Sequence, residues 1–293
     1  MEKENNEDVH HVEDAQANAG TTADLELQGW VGLAQDARDA TDAEHNLTVW
    51  KAVKLYPKAC LWSMVVSLVI IMDGYDTALI GNLFGYPSFQ KRFGVEVSNT
   101  GTYQLQAKWQ TALGISGSLG NIVGIFINGI VTERFGHKKA VLGSLAILVG
   151  FLFILFFAPN VEVLFVGEIL CGLVWGVFTT LAPAYASEVT PVVLRGYLET
   201  FVVLCWGIGQ LVSNGVLDGL NTHSSDWAWR IPFAIQWVWP VIIVPLIVFA
   251  PESPWWLVRR GRLQDAEKSV KRLSSSTNAD HARLSVALMV ETT

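Results

Sequence analysis

Six apolar runs, each long enough to cross a bilayer, are spaced along the chain between two polar ends. They cover approximately Ala59–Asn82, Trp109–Val131, Ala140–Ala158, Val163–Ala184, Leu198–Leu217 and Ile231–Ala250. A helix needs about 20 apolar residues to span hydrocarbon, and none of these runs alternates polar and apolar faces as a water-soluble helix does. Glycine recurs within them, as at Gly114, Gly117, Gly120, Gly124 and Gly129 of the second. Small residues at such spacing let helices approach closely in lipid. The pattern predicts an all-α membrane protein of six transmembrane helices. Beyond the sixth run, Leu263, Ala266, Val270 and Leu273 share one stripe of RLQDAEKSVKRL, which predicts a short amphipathic helix. SSSTNAD after it reads as a polar turn.

Composition changes this picture mainly at the ends. The net charge of −7 reflects acids crowded at the N-terminal end rather than an acidic bundle. Residues 1–48 are rich in Glu, Asp, Asn, Gln and Ala with few large apolar residues, so they cannot bury enough surface to offset ordering and predict a disordered tail. The tail lacks the basic start and apolar core of a signal peptide. Residues 49–251 are expected to form the six-span bundle, and 252–293 the amphipathic helix and a truncated linker. Cys60, Cys171 and Cys205 fall in apolar runs and read as small buried hydrophobes, with neither disulfide nor zinc spacing.

Lys and Arg set the direction of insertion. Lys51, Lys54 and Lys58 precede the first run, Arg134, Lys138 and Lys139 join the second to the third, Arg195 joins the fourth to the fifth, and Arg259, Arg260 and Arg262 follow the sixth. The third-to-fourth connection has no basic residue and the fifth-to-sixth only Arg230, while Lys91 and Arg92 run weakly against the trend. Both termini are therefore expected in the cytoplasm, with Trp227 and Trp229 at the outer interface and Trp255 and Trp256 at the inner one. The sequon Asn46-Leu47-Thr48 would then be cytoplasmic and unglycosylated.

Within VVSLVIIMDGYDTALIGNLFG, Asp73 and Asp76 lie three residues apart, on one face of a helix. A carboxylate at bilayer depth costs roughly 2.5–3.5 kcal/mol on insertion scales and marks a pathway by default. Glu168, Gln210 and Asn214 are further polar groups at membrane depth. Amides offer donor and acceptor together, as sugar hydroxyls require, but they also serve as glue between helices in lipid. No metal constellation, nucleophile–base pair or phosphate loop stands out, so no enzyme, no cofactor and no nucleic-acid partner is expected. His10, His11 and His45 lie in the tail and suggest little.

Ordered motifs then sharpen the reading. The second-to-third connection holds Gly129, Glu133, Arg134, Gly136, His137, Lys138 and Lys139. The fourth-to-fifth holds Pro183, Tyr185, Glu188, Pro191, Arg195 and Gly196, and the sixth run is followed by Pro251-Glu252-Ser253-Pro254-Trp255-Trp256. Together with Gly74-Tyr75-Asp76, over about Lys58 to Leu273, the chain resembles the sugar porter branch of the major facilitator superfamily. GEILCGLVWGVF and MDGYDT look most like fungal α-glucoside, maltose-type permeases. Glu133 stands where that family usually has Asp, and His137 where it usually has a base.

The resemblance implies a sugar/proton symporter with no cofactor. Asp76 matches the family's proton acceptor. Glu168 stands where a fourth-span Arg is usual, and two facing carboxylates resist ionising together, so one is expected to hold a proton. Asp73 either hydrogen-bonds sugar or shares that proton. Gln210 matches a sugar-binding Gln, and Asn214, one turn further, either joins it or ties helices together. Trp175 and Trp206 either stack on a sugar ring or pack. Tyr75, Tyr185, Gly74 and Gly81 read as packing and bending positions.

Glu133, Arg134, Glu188, Arg195 and Glu252 would form a cytoplasmic gating network whose ion pairs latch one conformation, against the alternative of exposed charges worth about 0–1 kcal/mol a pair. Such transporters have two six-span halves with the sugar site between them. This sequence supplies six spans, so it is expected to be an N-terminal half, whether fragment, mispredicted gene or true truncation. The alternative is a non-transporting sugar sensor or a half that pairs with another half. Its partners would be sugar, protons and the lipid bilayer of the plasma membrane.

Overall fold

A computed structural model describes residues 48–97, 101–221, 225–274 and 279–292. The tail expected over 1–48, with its sequon and histidines, lies outside the described residues save Thr48. Six helical spans emerge: Pro57–Leu83, Ala107–Phe135, His137–Phe156, Val161–Val189, Val192–Leu220 and Trp227–Phe249. The second, fourth and fifth outrun the apolar stretches that predict them, because Glu133-Arg134, Ala186–Glu188 and Arg195 continue the helices past the hydrocarbon-like segment.

Two spans are interrupted. The first breaks between Ser67 and Val69, where Ser67 Oγ donates to the Ser63 carbonyl at 2.8 Å, a back-bond that bends helices. The sixth breaks between Ile235 and Val238. There the N–H groups of Gln236 and Trp237 reach back three residues, to Phe233 at 3.2 Å and Ala234 at 3.1 Å.

Glycines decide which spans pair. A methyl group on Gly120 would strike the Ile169 carbonyl, and one on Gly176 the Asn121 carbonyl, so the second and fourth spans meet backbone to backbone. Gly74 meets the Trp206 carbonyl and Gly209 the Ile71 carbonyl, which joins the first and fifth spans in the same way. These are the two most extensive helix contacts of the fold. The first and fourth spans lie deepest, whereas the second and fifth are the most open, with Phe126, Ile130, Val203 and Leu211 on their free faces.

Tyrosines fasten the sixth span to this centre. Tyr75 donates to the Pro232 carbonyl at 2.8 Å, and Tyr185 to the Pro251 carbonyl at 2.9 Å. Both act as the packing residues expected.

Several expectations are revised. The first connection is a short helix, Pro87–Phe93, followed by an antiparallel pair, Val95–Glu96 with Tyr103–Gln104. Trp229 is no interfacial anchor: it is fully buried in a cluster with Phe89, Phe93 and Phe233. Trp256 is buried as well, its indole donating to the Glu133 carbonyl at 2.8 Å. The amphipathic helix forms over Leu263–Leu273 and buries Ala266, Ser269, Val270 and Leu273, while Leu263 at its start stays exposed. A further helix, Ala279–Glu291, packs on it through Ala282 and Val286. The three cysteines are free.

Candidate functional site

The centre of the bundle gathers four polar side chains from three spans. Asp76, on the first, is 3% exposed, and Glu168, on the fourth, 2%. Trp175, two turns along from Glu168, donates from Nε1 to Asp76 Oδ2 at 3.1 Å. Gln236, fully buried at the interruption of the sixth span, donates from Nε2 to Asp76 Oδ1 at 2.7 Å. Glu168 faces Asp76 within hydrogen-bonding reach, and its Oε1 has no partner among the described residues. Both oxygens of one acid are thus occupied by donors while the other acid leans on it. No metal-binding group of His, Cys, Asp and Glu occurs among the described residues.

The remaining membrane-depth residues border this cluster on its open side. Asp73 is half-buried and electrostatically coupled to Asp76. Gln210 is half-buried beside Gly209, at the crossing of the first and fifth spans, and its amide makes no hydrogen bond among the described residues. Asn214 is exposed, its Oδ1 accepting from Asn82 Nδ2 at 2.7 Å, so here it ties the first span to the fifth. Trp206 is 37% exposed beside them, whereas Trp175 is buried and serves the acid.

Reading the sequence alone missed Gln236. The signal was present: it is the only amide or hydroxyl side chain from Ile231 to Ala250. What it bonds to is invisible until the sixth span is folded against the first.

A second polar cluster closes the end of the bundle where the second and third spans join. Glu188 Oε1 pairs with Arg259 Nη2 at 2.8 Å, its Oε2 accepts from the Ser253 hydroxyl, and His137 Nδ1 stands 3.6 Å away. Glu252 Oε1 accepts from the N–H groups of Lys138 at 3.2 Å and Ser253 at 3.1 Å. It thereby occupies the start of the third span, where an anion is favoured. Gly136 allows this approach, since at φ +89 it turns the chain and a methyl there would strike the Glu252 carboxylate. Burial pushes the Glu252 carboxyl above its ordinary value and outweighs the backbone N–H groups that pull it down.

Of the five charges expected in this cluster, the structure brings in only two as side chains. Glu133 contributes its backbone carbonyl, which accepts from Trp256 and, at 2.6 Å, from Arg260. Arg134 lies over the Phe135 ring and Arg195 leaves a buried Nε unpartnered; neither forms an ion pair among the described residues. Arg259, Ser253 and His137 stand around Glu188 instead, the first two because the helix Pro254–Arg259 packs on the fourth span and the third from the start of the third span.

Comparison with known proteins agrees with this architecture. The family described as sugar (and other) transporter matches residues 62–292. Maltose permease MAL31 of Saccharomyces cerevisiae is 41% identical over 243 residues, covering 82% of this chain and 40% of the permease. The general alpha-glucoside permease of the same yeast is 38% identical over 252 residues, 85% of this chain and 41% of that protein. The chain thus spans about two fifths of the length of these relatives. Among solved structures, the partially occluded, inward-open xylose transporter XylE from E. coli superposes with a TM-score of 0.65 at 22% identity, over 80% of this chain and 58% of XylE. XylE bound to 6-bromo-6-deoxy-D-glucose, a major facilitator superfamily proton:xylose symporter, gives 0.65 at 23%, over 80% and 52%. The six helices have the fold of half of such a transporter.

Proposed function

This chain belongs to the sugar (and other) transporter family, and on that premise we propose that it forms the N-terminal six-span half of a sugar/proton symporter for α-glucosides such as maltose, or for hexoses. The observation that carries this reading is Asp76, an acid buried at membrane depth and held by donors from two other spans. An ionisable group at that depth is costly, and taking up and releasing a proton is the work that would justify the cost. Asp73, Gln210 and Trp206, half-buried or exposed at the margin of the first and fifth spans, would be the groups that meet a sugar. They can line only one wall of a site that a second six-span half would complete.

The charge distribution supports an orientation with both described ends in the cytoplasm, and as a sugar symporter the protein would act in the plasma membrane. The cluster around Glu188 and Glu252 would then be an inner latch, since its ion pair and hydroxyl contacts must part if the fourth span moves against the helix that follows the sixth.

Uptake of labelled maltose and glucose into transporter-deficient yeast tests the reading, using the chain alone, the chain joined to a second six-span half, and Asp76→Asn in each. Uptake that needs both halves and loses its pH dependence in Asp76→Asn is expected. Uptake by the joined protein that is indifferent to Asp76→Asn would overturn proton coupling through this acid. The open faces of the second and fifth spans, with Phe126 and Leu211, favour one further reading: the chain pairs with another half. Cysteine crosslinking at those two positions in membranes would report that pairing.

A further inference from the structure

Donors and acceptors around Asp76 are unevenly divided, and the division identifies which acid carries a proton. Each Asp76 oxygen receives a donor, Gln236 Nε2 at one and Trp175 Nε1 at the other. An indole nitrogen can only donate, so the Asp76 oxygen beside it acts as an acceptor. Glu168 is the reverse case: buried, against Asp76, with no donor to Oε1 among the described residues. The other titratable groups facing the pair are Asp73 and Tyr75 from the first span and Cys171 from the fourth, and none brings a positive charge. Two adjoining carboxylates buried without a cation cannot both ionise at tolerable cost. One proton between them removes the conflict, and the donors on Asp76 decide where it sits.

We propose that Glu168 is the resident proton carrier, donating its O–H to an ionised Asp76, and that Gln236 is the positioning residue that holds Asp76 ready for a second proton. Gln236 Oε1 is buried and unpartnered. When Asp76 takes up a proton, its new O–H requires an acceptor, and a half-turn of the Gln236 amide presents Oε1 in place of the Nε2 donor. That rotation occurs at the interruption of the sixth span, where the N–H groups of Gln236 and Trp237 reach back three residues rather than four. A proton on Asp76 is thereby felt at a hinge. Only this last consequence rests on the symport reading; the protonation pattern stands on the geometry.

Infrared spectroscopy of the purified chain tests it, recorded in an Asp73→Asn background so that the half-buried neighbour is silent. At neutral pH a protonated-carboxyl C=O band is expected, absent in Glu168→Gln and retained in Asp76→Asn. Acidification should bring up a second band, missing in Asp76→Asn. In Gln236→Met that second band should appear at a proton concentration about tenfold lower, because the ionised form has lost a charge-assisted hydrogen bond. Trp175→Phe should shift it the same way, and it carries the decision if Gln236→Met does not fold. A neutral-pH band that vanishes in Asp76→Asn instead, or Gln236→Met and Trp175→Phe titrating as the parent does, would overturn the assignment. No sugar or gradient enters the measurement, so failed uptake and failed band assignment are separate results.

Discussion

Gln236 Nε2 lies 2.7 Å from Asp76 Oδ1, so the interruption of the sixth span is hydrogen-bonded to a buried acid in the first. Tyr75, one residue before that acid, donates to the carbonyl of Pro232 four residues before Gln236. Adjacent residues of the first span therefore grip the sixth span at its interruption and one turn before it. The break is held in place from within the bundle, and the donor that holds it is one whose partner can change charge.

Truncating Asp76 should cost more than neutralising it. Asp76→Ala leaves the Trp175 and Gln236 donors both without an acceptor, whereas Asp76→Asn retains one carbonyl oxygen for one of them. An orphaned buried donor costs about 1–3 kcal/mol. Thermal unfolding in detergent should show Asp76→Ala less stable than Asp76→Asn by about that amount. Equal melting temperatures would mean that the two hydrogen bonds do not form in the membrane protein.

The glycine contacts make a sharp contrast between neighbours. Gly209→Ala drives a methyl into the Ile71 carbonyl, and Gly74→Ala drives one into the Trp206 carbonyl, backbone atoms that cannot swing aside. Overpacking typically costs about 1–3 kcal/mol. Gly207→Ala, in the same helix with nothing near it, should be neutral or slightly stabilising. Melting temperatures of the three variants check the ordering.

At the end cluster, Glu188→Ala should destabilise more than Arg259→Ala. Arg259 is half-exposed and gives up one ion pair, worth about 0–1 kcal/mol in such a setting. Glu188 also receives the Ser253 hydroxyl and stands next to His137, so its removal strands more partners. A double-mutant cycle on Glu188 and Ser253 should give a larger coupling than one on Glu188 and Arg259.

Glu252 predicts a pH dependence of definite sign. Its carboxyl is raised by burial, so the folded state binds that proton more tightly than the unfolded chain does. The stability it confers is full below the ordinary value of 4.5 and is lost as pH rises through the raised folded value. Relative to Glu252→Gln, the parent protein should lose melting temperature between those two values and then level off. Parallel pH curves for the two proteins would refute the assignment.

Much of this protein was legible in its sequence. Six spans follow from the length of apolar runs against the thickness of hydrocarbon, the amphipathic helix from a stripe at helical spacing, and an acid at bilayer depth from the place of Asp76 within the first run. Family membership was legible too, because its motifs lie at span boundaries, where local order in the chain is enough to recognise them. The partners of those residues were not. Trp175 and Glu168 come within reach of Asp76 only because the fourth span packs directly against the first, and Gln236 only because the sixth span breaks opposite the acid. Likewise Glu133, Arg134 and Arg195 have the right charge for ion pairs but not the position, and Arg259, Ser253 and His137 occupy the space around Glu188. Hydrophobic pattern is a local property and one chain position at a time reveals it. A hydrogen bond across 160 residues depends on where two backbones cross, which only the tertiary structure decides.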